Sequence, residues 1–379
     1  MQVLILNPNV GGNAPVVRLW AVHLARQGHQ VHLVTNHHPN PHQLPVDVRE
    51  NLHLHPLEVD EDHGAGNPAL SFSTLHQVAT LTLEHDVQVV HTHDVLLSTQ
   101  AAVQARKLTG QAHPVVVTVH GSEPQLMDPR HLPVVRDVLG MADHVTARSR
   151  FLACTLAQHV GRTAQVTPSW VDLQRFTPQA LPPEEPVTLL HFAGVSSKAR
   201  SVDALLVLQR VLEQRSAILR MVGQPAALQL CEDLARSLGV LPQVNLVHGT
   251  QLQERHFQGV HLQLLTREGE AHGQYLLDGL ACGVPAVASR SGAHLEVLHH
   301  GQGGVLVPTG DVQQMAGAVL NLMEDRRTYQ QLRAQAVQRS LHYAEDRLGF
   351  LYRRLLYHLP HLDHPAAPES PRAPLPWMK

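Results

Sequence analysis

Short apolar runs, each ending on a glycine or a polar turn and leading into an amphipathic stretch, recur along the chain, and this alternation restricts the fold more than any other feature. Val3–Leu6 meets Asn7-Pro-Asn-Val-Gly-Gly12, apolar residues at helical spacing (Val16, Val17, Trp20, Leu24) run on to Gly28, and Val31–Thr35 follows. Strand, glycine turn and helix in that order build a parallel sheet with helices on its faces. Val87–His91, Pro114–Val119 and Asp143–Ser149 continue the series, and Val187–Ala193, Ala217–Gly223, Val244–Gly249, Val260–Leu265 and Ala286–Ala288 repeat it in the second half. Between the halves, Pro178–Pro186 (PQALPPEEP) is too stiff and polar for a core and reads as a linker. The pattern predicts an α/β chain of two facing, Rossmann-like, doubly wound parallel-sheet domains with a cleft between them, residues 1–177 and 187–345 flanking the linker 178–186. A closing helix is expected over 346–362, and the proline-rich tail 363–379 is expected to be disordered.

The 379 residues, 43% of them hydrophobic, suffice for two cores. A net charge of −3 and a pI near 6.9 exclude the basic excess of a nucleic-acid binder. Cys154, Cys231 and Cys282 are odd in number and far apart, which fits a reduced cytoplasm better than a disulfide framework. Met1-Gln-Val-Leu-Ile-Leu6 lacks a charged leader, and no apolar run nears the roughly eighteen residues of a membrane span, so a cytoplasmic protein without an integral membrane segment is expected. The thirty histidines suggest metal ligands at His37-His38, His91/His93 and His299-His300, yet no acidic or cysteine partner stands at ligand spacing. They read as surface drift, with no metal expected.

Chemistry concentrates between Leu264 and Asp311. Glu270 stands in a polar loop (Ala271-His272-Gly273) that tips into an apolar, helix-like run (Tyr275, Leu276, Leu277, Leu280, Ala281). The N–H groups at such a helix start attract anions and sugar hydroxyls. Glu270 is expected at the loop mouth, Asp278 two turns down the helix, and Cys282-Gly283-Val284-Pro285 at its end. Gly194-Val-Ser-Ser-Lys198-Ala-Arg200 follows a strand and precedes a helix, a cationic turn suited to a diphosphate. Ligands gather beyond the carboxyl ends of parallel strands, so His91-Thr-His93-Asp94 and His120-Gly121 are further candidates. Asp311-Val-Gln-Gln314 reads as a capping box.

The phrase from Glu270 to Pro285, with a second carboxylate at Asp278 and the close Gly304-Val-Leu-Val-Pro-Thr-Gly-Asp311, resembles the donor-sugar site of the retaining glycosyltransferases of family 4, which have the GT-B fold. Thr118-Val-His-Gly121, Asp143–Ser149 and Gln165–Phe176 resemble the family's motifs in the first lobe. The resemblance covers roughly residues 1 to 358, and implies that the last helix packs back on the first lobe. This chain has Asp278 in place of a second Glu, Ser169 in place of Asn, Trp170 in place of Gly, and Ser196 or Ser197 where the family's loop carries an Arg ahead of its Lys.

What the resemblance implies is transfer of a sugar from a nucleotide diphosphate with retention and without a metal or other cofactor. Glu270 and His120 would face the reacting sugar; Gly11, Gly12, Lys198, Arg200, Gly223, His272, Gly273, Gln274 and Asp278 would bind the donor, Asp278 at the ribose. Within the family the pattern is most similar to members that join N-acetylglucosamine to L-malate, so the expected partners are small-molecule substrates. Arg148 and Arg150 are candidates for an anionic acceptor. A homodimer is compatible with the sequence. Two other readings stay open: a weakened member that binds sugar nucleotides without turnover, and a sugar-nucleotide epimerase of the same fold.

Overall fold

The computed structural model describes residues 1–7, 14–36, 44–57, 72–121, 130–249 and 253–357. Gly11, Gly12, the His37-His38 pair, the end of the closing helix and the tail 363–379 lie outside the described residues. The chain divides into two compact units: Met1–Ala147 and Ala153–Thr167 with the chain from Asp346 onward, and Arg148–Leu152 with Pro168–Glu345. Residues 178–186, expected as a linker, cluster with the second unit, as does the short segment from Arg148.

In the first unit β1 (Gln2–Asn7), α1 (Ala14–Arg26), β2 (Gln30–Thr35), β3 (Leu52–Pro56), α2 (Phe72–Glu84), β4 (Val89–Thr92), α3 (Leu97–Thr109), β5 (Val115–Val119), α4 (Leu132–Met141), β6 (His144–Ala147), α5 (Arg150–Thr155, whose residues up to Leu152 cluster with the second unit) and β7 (Gln165–Val166) follow in order. The seven strands lie in the order β3-β2-β1-β4-β5-β6-β7 and pair in parallel, Val3 standing beside Val31 and Val89. Leu4, Leu6, Val34 and Val90 from the strands pack with Val78 and Ala102 from the helices. Continuous apolar strands suit a sheet covered on both faces.

In the second unit β8 (Val187–Phe192), α6 (Ser201–Leu212), β9 (Ala217–Gly223), α7 (Pro225–Ser237), β10 (Val244–His248), β11 (Leu262–Leu265), α8 (Gln274–Ala281), β12 (Ala286–Ser289), α9 (His294–Val297), β13 (Gly304–Val307), α10 (Val312–Glu324) and α11 (Arg326–Ser340) follow. Their six strands are also parallel, in the order β10-β9-β8-β11-β12-β13. Leu189, Leu219, Leu262 and Val287 meet Leu205 and Leu208 of α6 and Met315 and Val319 of α10. Helix α10 starts on an Asp311 cap and not on the full capping box expected: Asp311 Oδ1 accepts from Gln314 N at 2.9 Å and Oδ2 from Gln314 Nε2 at 2.8 Å, while the Asp311 N–H donates to Pro308 O at 3.1 Å and not to the Gln314 side chain. Gly279 lets α8 approach β11 closely, because a Cβ there would fall 2.1 Å from the Gln263 amide. Among the described residues no helix is long and apolar enough to cross a membrane.

The closing helix α12 (Glu345–Tyr357) belongs to the first unit from Asp346 onward, burying Leu348, Tyr352 and Leu356. It approaches α1 at Gly349, where a Cβ would stand 2.4 Å from the His23 ring. Tyr352 stacks on Trp20 with centroids 4.8 Å apart, and Trp20 covers His93 at 5.1 Å. The His91 ring bonds the Tyr352 hydroxyl on one side and Thr118 Oγ1 at 2.7 Å on the other.

This ring stack corrects the expectation of surface drift for the histidines. His32, His91, His93, His120, His191, His256, His261 and His294 are all buried. A neutral imidazole can be buried when its nitrogens find partners, and burial drives His91 down to about 3, so it carries no charge near neutrality.

Replacing Tyr352 with Phe removes one partner of a fully buried imidazole. The expected loss is about 1–3 kcal/mol of stability, seen as a lower denaturant midpoint with an unchanged slope. An unchanged midpoint would show that the hydroxyl does not support the stack.

Candidate functional site

The strand order of the second sheet reverses between β8 and β11, and the crevice beyond the carboxyl ends of two such strands is where an open parallel sheet holds a ligand. His191, near the end of β8, bonds Leu264 O at 2.9 Å through Nδ1 and Ser201 Oγ at 3.1 Å through Nε2. Ser201 Oγ accepts the Gly194 N–H at 3.1 Å, which fixes the turn after β8. The loops leaving the two strands are bonded to each other: Glu268 N donates to Lys198 O at 2.8 Å and Thr266 Oγ1 to Ala199 O at 3.0 Å.

Glu270 lies on the β11 loop, its side chain 14% exposed. Its Oε1 accepts from His272 N at 3.3 Å and Gly273 N at 3.1 Å, so the carboxylate holds the turn that leads into α8. These two N–H groups, expected to await a ligand, are taken by Glu270. Its Oε2 lies 3.4 Å from Arg267 Nε. Burial alone would push the carboxyl up, but His272, His294 and Arg267, with the Gly273 N–H, hold it down to about 2 and keep it ionised. The loop is fastened from behind: Ala293 N donates to Glu270 O at 2.7 Å and Gly269 N to Ser291 Oγ at 2.7 Å. Gly292, at φ +56, must be glycine, since a Cβ there would fall 2.2 Å from Glu270 O.

Gly273 takes the left-handed conformation as the N-cap, and α8 begins at Gln274. Asp278 therefore lies one turn into the helix and not two, because the loop from Glu270 to Gly273 is not helical. Its carboxyl is buried and accepts from Gln274 Nε2 at 3.0 Å; Gln274 Oε1 in turn accepts from Arg148 Nη2 at 2.9 Å, and Arg148 Nε donates to Ser169 Oγ at 2.6 Å. The shorter Asp278 thus joins a polar chain through Gln274, and Ser169 terminates it. Arg148, a candidate for the acceptor, is buried and committed to this chain. Burial pushes the Asp278 carboxyl up to about 7, against the pull of the Gln274 bond and of Arg175 and Arg148.

The remaining expected residues are placed as follows. Lys198 is exposed on a single 3-10 turn, Ser197–Ala199, at the edge of the same crevice. Arg200, at φ +51, pairs with Asp203 at 2.6 Å, and its guanidinium lies where a side chain on Gly310 would be, so its charge is met within the protein. Gly223 allows the strand ends to close, a Cβ there meeting Ala193 at 3.1 Å. His272 stands beside Glu270, Nδ1 to Oε1 being 3.8 Å. Glu296 accepts from Arg150 N at 3.0 Å and Phe151 N at 2.7 Å, capping α5. In the first unit His120 is fully buried, and its Nε2 bonds His93 Nδ1 at 3.0 Å within the ring stack. Sequence reasoning missed Arg267, Gly292 and His294; for Arg267 the available signal was a cation just past an apolar run at the order reversal. Among the described residues no group of three or more His, Cys, Asp or Glu is placed to hold a metal ion.

A family model described as Glycosyltransferase Family 4 matches residues 10–175, and one described as Glycosyl transferases group 1 matches residues 174–339. The chain is 24% identical to N-acetyl-alpha-D-glucosaminyl L-malate synthase of Bacillus anthracis over 341 residues, 86% of this chain and 88% of that protein. Among solved structures it is similar to a sucrose-phosphate synthase from Thermosynechococcus elongatus (TM-score 0.77, 20% identity, 94% of this chain and 100% of that one). It is equally similar to HepE of Anabaena in complex with UDP and glucose (TM-score 0.77, 16% identity, 95% and 100%).

Two outcomes test this geometry. Gly292→Ala forces a methyl group into the Glu270 backbone and should lower stability by about 1–3 kcal/mol; wild-type stability in denaturant would show that the loop is not fastened there. For Asp278, whose folded pKa is raised, the contribution to stability is fully present below its unfolded value near 3.8 and is lost as pH rises to about 7. Asp278→Asn should therefore gain on the wild type by about 1.4 kcal/mol per pH unit across that window, and a constant difference from pH 4 to pH 8 would contradict the buried, proton-holding carboxyl.

Proposed function

The chain belongs to glycosyltransferase family 4 and has its GT-B fold of two parallel-sheet, Rossmann-like units, and from that premise we propose that it moves a sugar from a nucleotide diphosphate, UDP-N-acetylglucosamine, to the small acceptor L-malate with retention at the anomeric carbon. The single observation that carries the reading is the ionised Glu270 carboxylate, fixed on a fastened loop beside the cationic turn of Lys198, beyond the strand ends where the sheet reverses. The similarity to a protein named as a glucosaminyl L-malate synthase supports the sugar and acceptor. A likeness to a structure holding UDP and glucose supports the donor class.

The bond between the anomeric carbon and the diphosphate oxygen breaks, and its electron pair stays on the diphosphate. The acceptor hydroxyl oxygen bonds the anomeric carbon, and its proton passes to the departing diphosphate. Charge grows on that group in the transition state, so a cation and helix-start dipoles fixed in advance lower the barrier without a metal. Lys198 and the N–H groups of the first turn of α8, from Gln274 on, fill these roles; Glu270 accepts hydrogen bonds from sugar hydroxyls. Gln274 and Asp278 form the floor near the ribose.

Incubation of the purified protein with labelled UDP-N-acetylglucosamine and L-malate, with chelator present, should yield UDP and an α-linked glycosyl-malate identified by its anomeric proton coupling. Sugar altered without acceptor would indicate an epimerase, and binding without turnover a weakened member. Glu270→Ala should lower turnover roughly 10²- to 10³-fold while a cooperative unfolding transition persists; full activity would remove Glu270 from the site.

A further inference from the structure

A nucleoside diphosphate needs more than one cation, and the loop after β8 offers fewer than its sequence suggests, because Arg200 is bound to Asp203 at 2.6 Å. The partner loop after β11 supplies another. The bonds from Glu268 N to Lys198 O and from Thr266 Oγ1 to Ala199 O carry Arg267 across to the turn after β8. A Cβ on Gly194 would lie 3.4 Å from Arg267 Nη2, so the guanidinium rests against the glycine turn, between Gly194 and Glu270. Its backbone is held as well, since its carbonyl accepts from Ser289 Oγ at 2.5 Å.

The partner of this guanidinium is loosely held. Its Nε stands 3.4 Å from Glu270 Oε2, and the side chain remains 40% exposed. A guanidinium has five N–H donors in a rigid fork that matches the oxygens of a phosphate. One carboxylate oxygen at that distance cannot use them. Gly194 gives no side chain to block the approach.

We propose that Arg267 is a donor-binding residue that grips the β-phosphate of the nucleotide sugar, reaching the site from the β11 loop and complementing Lys198. The inference rests on the transferase reading above and specifies where that site places its second cation. Arg267 stabilises the electron pair left on the diphosphate when the bond to the sugar breaks, and the same side chain flanks Glu270 at the sugar hydroxyls. It thus links the leaving group to the sugar contact. In the run Thr266-Arg-Glu-Gly-Glu270 two acids neighbour this cation in sequence, and Glu270 meets it through Nε at 3.4 Å.

The test is calorimetric binding of UDP and of UMP to wild-type protein, Arg267→Gln, Arg267→Lys and Glu270→Gln, each first shown to unfold cooperatively. Arg267→Gln should weaken UDP about 10- to 100-fold and UMP far less, with partial recovery in Arg267→Lys. Adding Arg267→Gln to Glu270→Gln should weaken UDP by a similar factor again. UDP affinity equal to that of the wild type, an equal loss for UMP, or no further loss in the Glu270→Gln background would overturn the assignment; the last would mean that Arg267 only positions Glu270. Those three outcomes leave the transferase reading standing if the wild type binds UDP and turns over. A wild type that binds neither UDP nor any other nucleoside diphosphate would overturn both.

Discussion

Two loops bonded edge to edge set the geometry on which the rest of the second unit depends. The amide of Glu268 on the carbonyl of Lys198 joins the turns that leave β8 and β11, and these are the strands between which the sheet reverses. The Glu270 carboxylate and the Lys198 turn, from distant parts of the chain, are thereby held together by backbone bonds. Glu270 holds the turn ahead of α8 and stays charged through His272, His294 and Arg267. The same group therefore orders its own loop and presents a fixed charge, which is how a rigid scaffold prepares a transition-state contact.

The first unit uses its aromatic and imidazole rings differently. Trp20, His91, His93, His120 and Tyr352 form a buried layer across α1, β4, β5 and α12. Thr118 ties that layer to Thr146 on the next strand at 2.6 Å. His120, read from sequence as a sugar contact, is fixed by His93 inside this layer.

Periodicity made the architecture legible. Runs such as Val3–Leu6 are apolar on both faces, as strands of a covered parallel sheet must be, and Asp311 with Gln314 marked the start of a helix. The site was less so, because its logic lies in contacts between loops far apart in sequence. Nothing local announces that Gly292 makes room for the Glu270 carbonyl, or that Gln274 bridges Asp278 to Arg148. Arg200 looked like a phosphate ligand from its position and is bound to Asp203 three residues on. Arg267 is flagged only once the strand order is known. The histidines misled for a related reason, since composition does not tell a neutral, buried imidazole from an exposed one.

Hydrogen exchange of the intact chain with and without saturating UDP tests the central claim most directly, because binding to the native state slows the opening of the backbone it contacts. Slowed exchange concentrated in residues 194–200 and 266–274 is the expected result. Slowing confined to the first unit, or to the opposite, amino-terminal ends of β8 and β11, would contradict the placement of the donor at the reversal of the sheet.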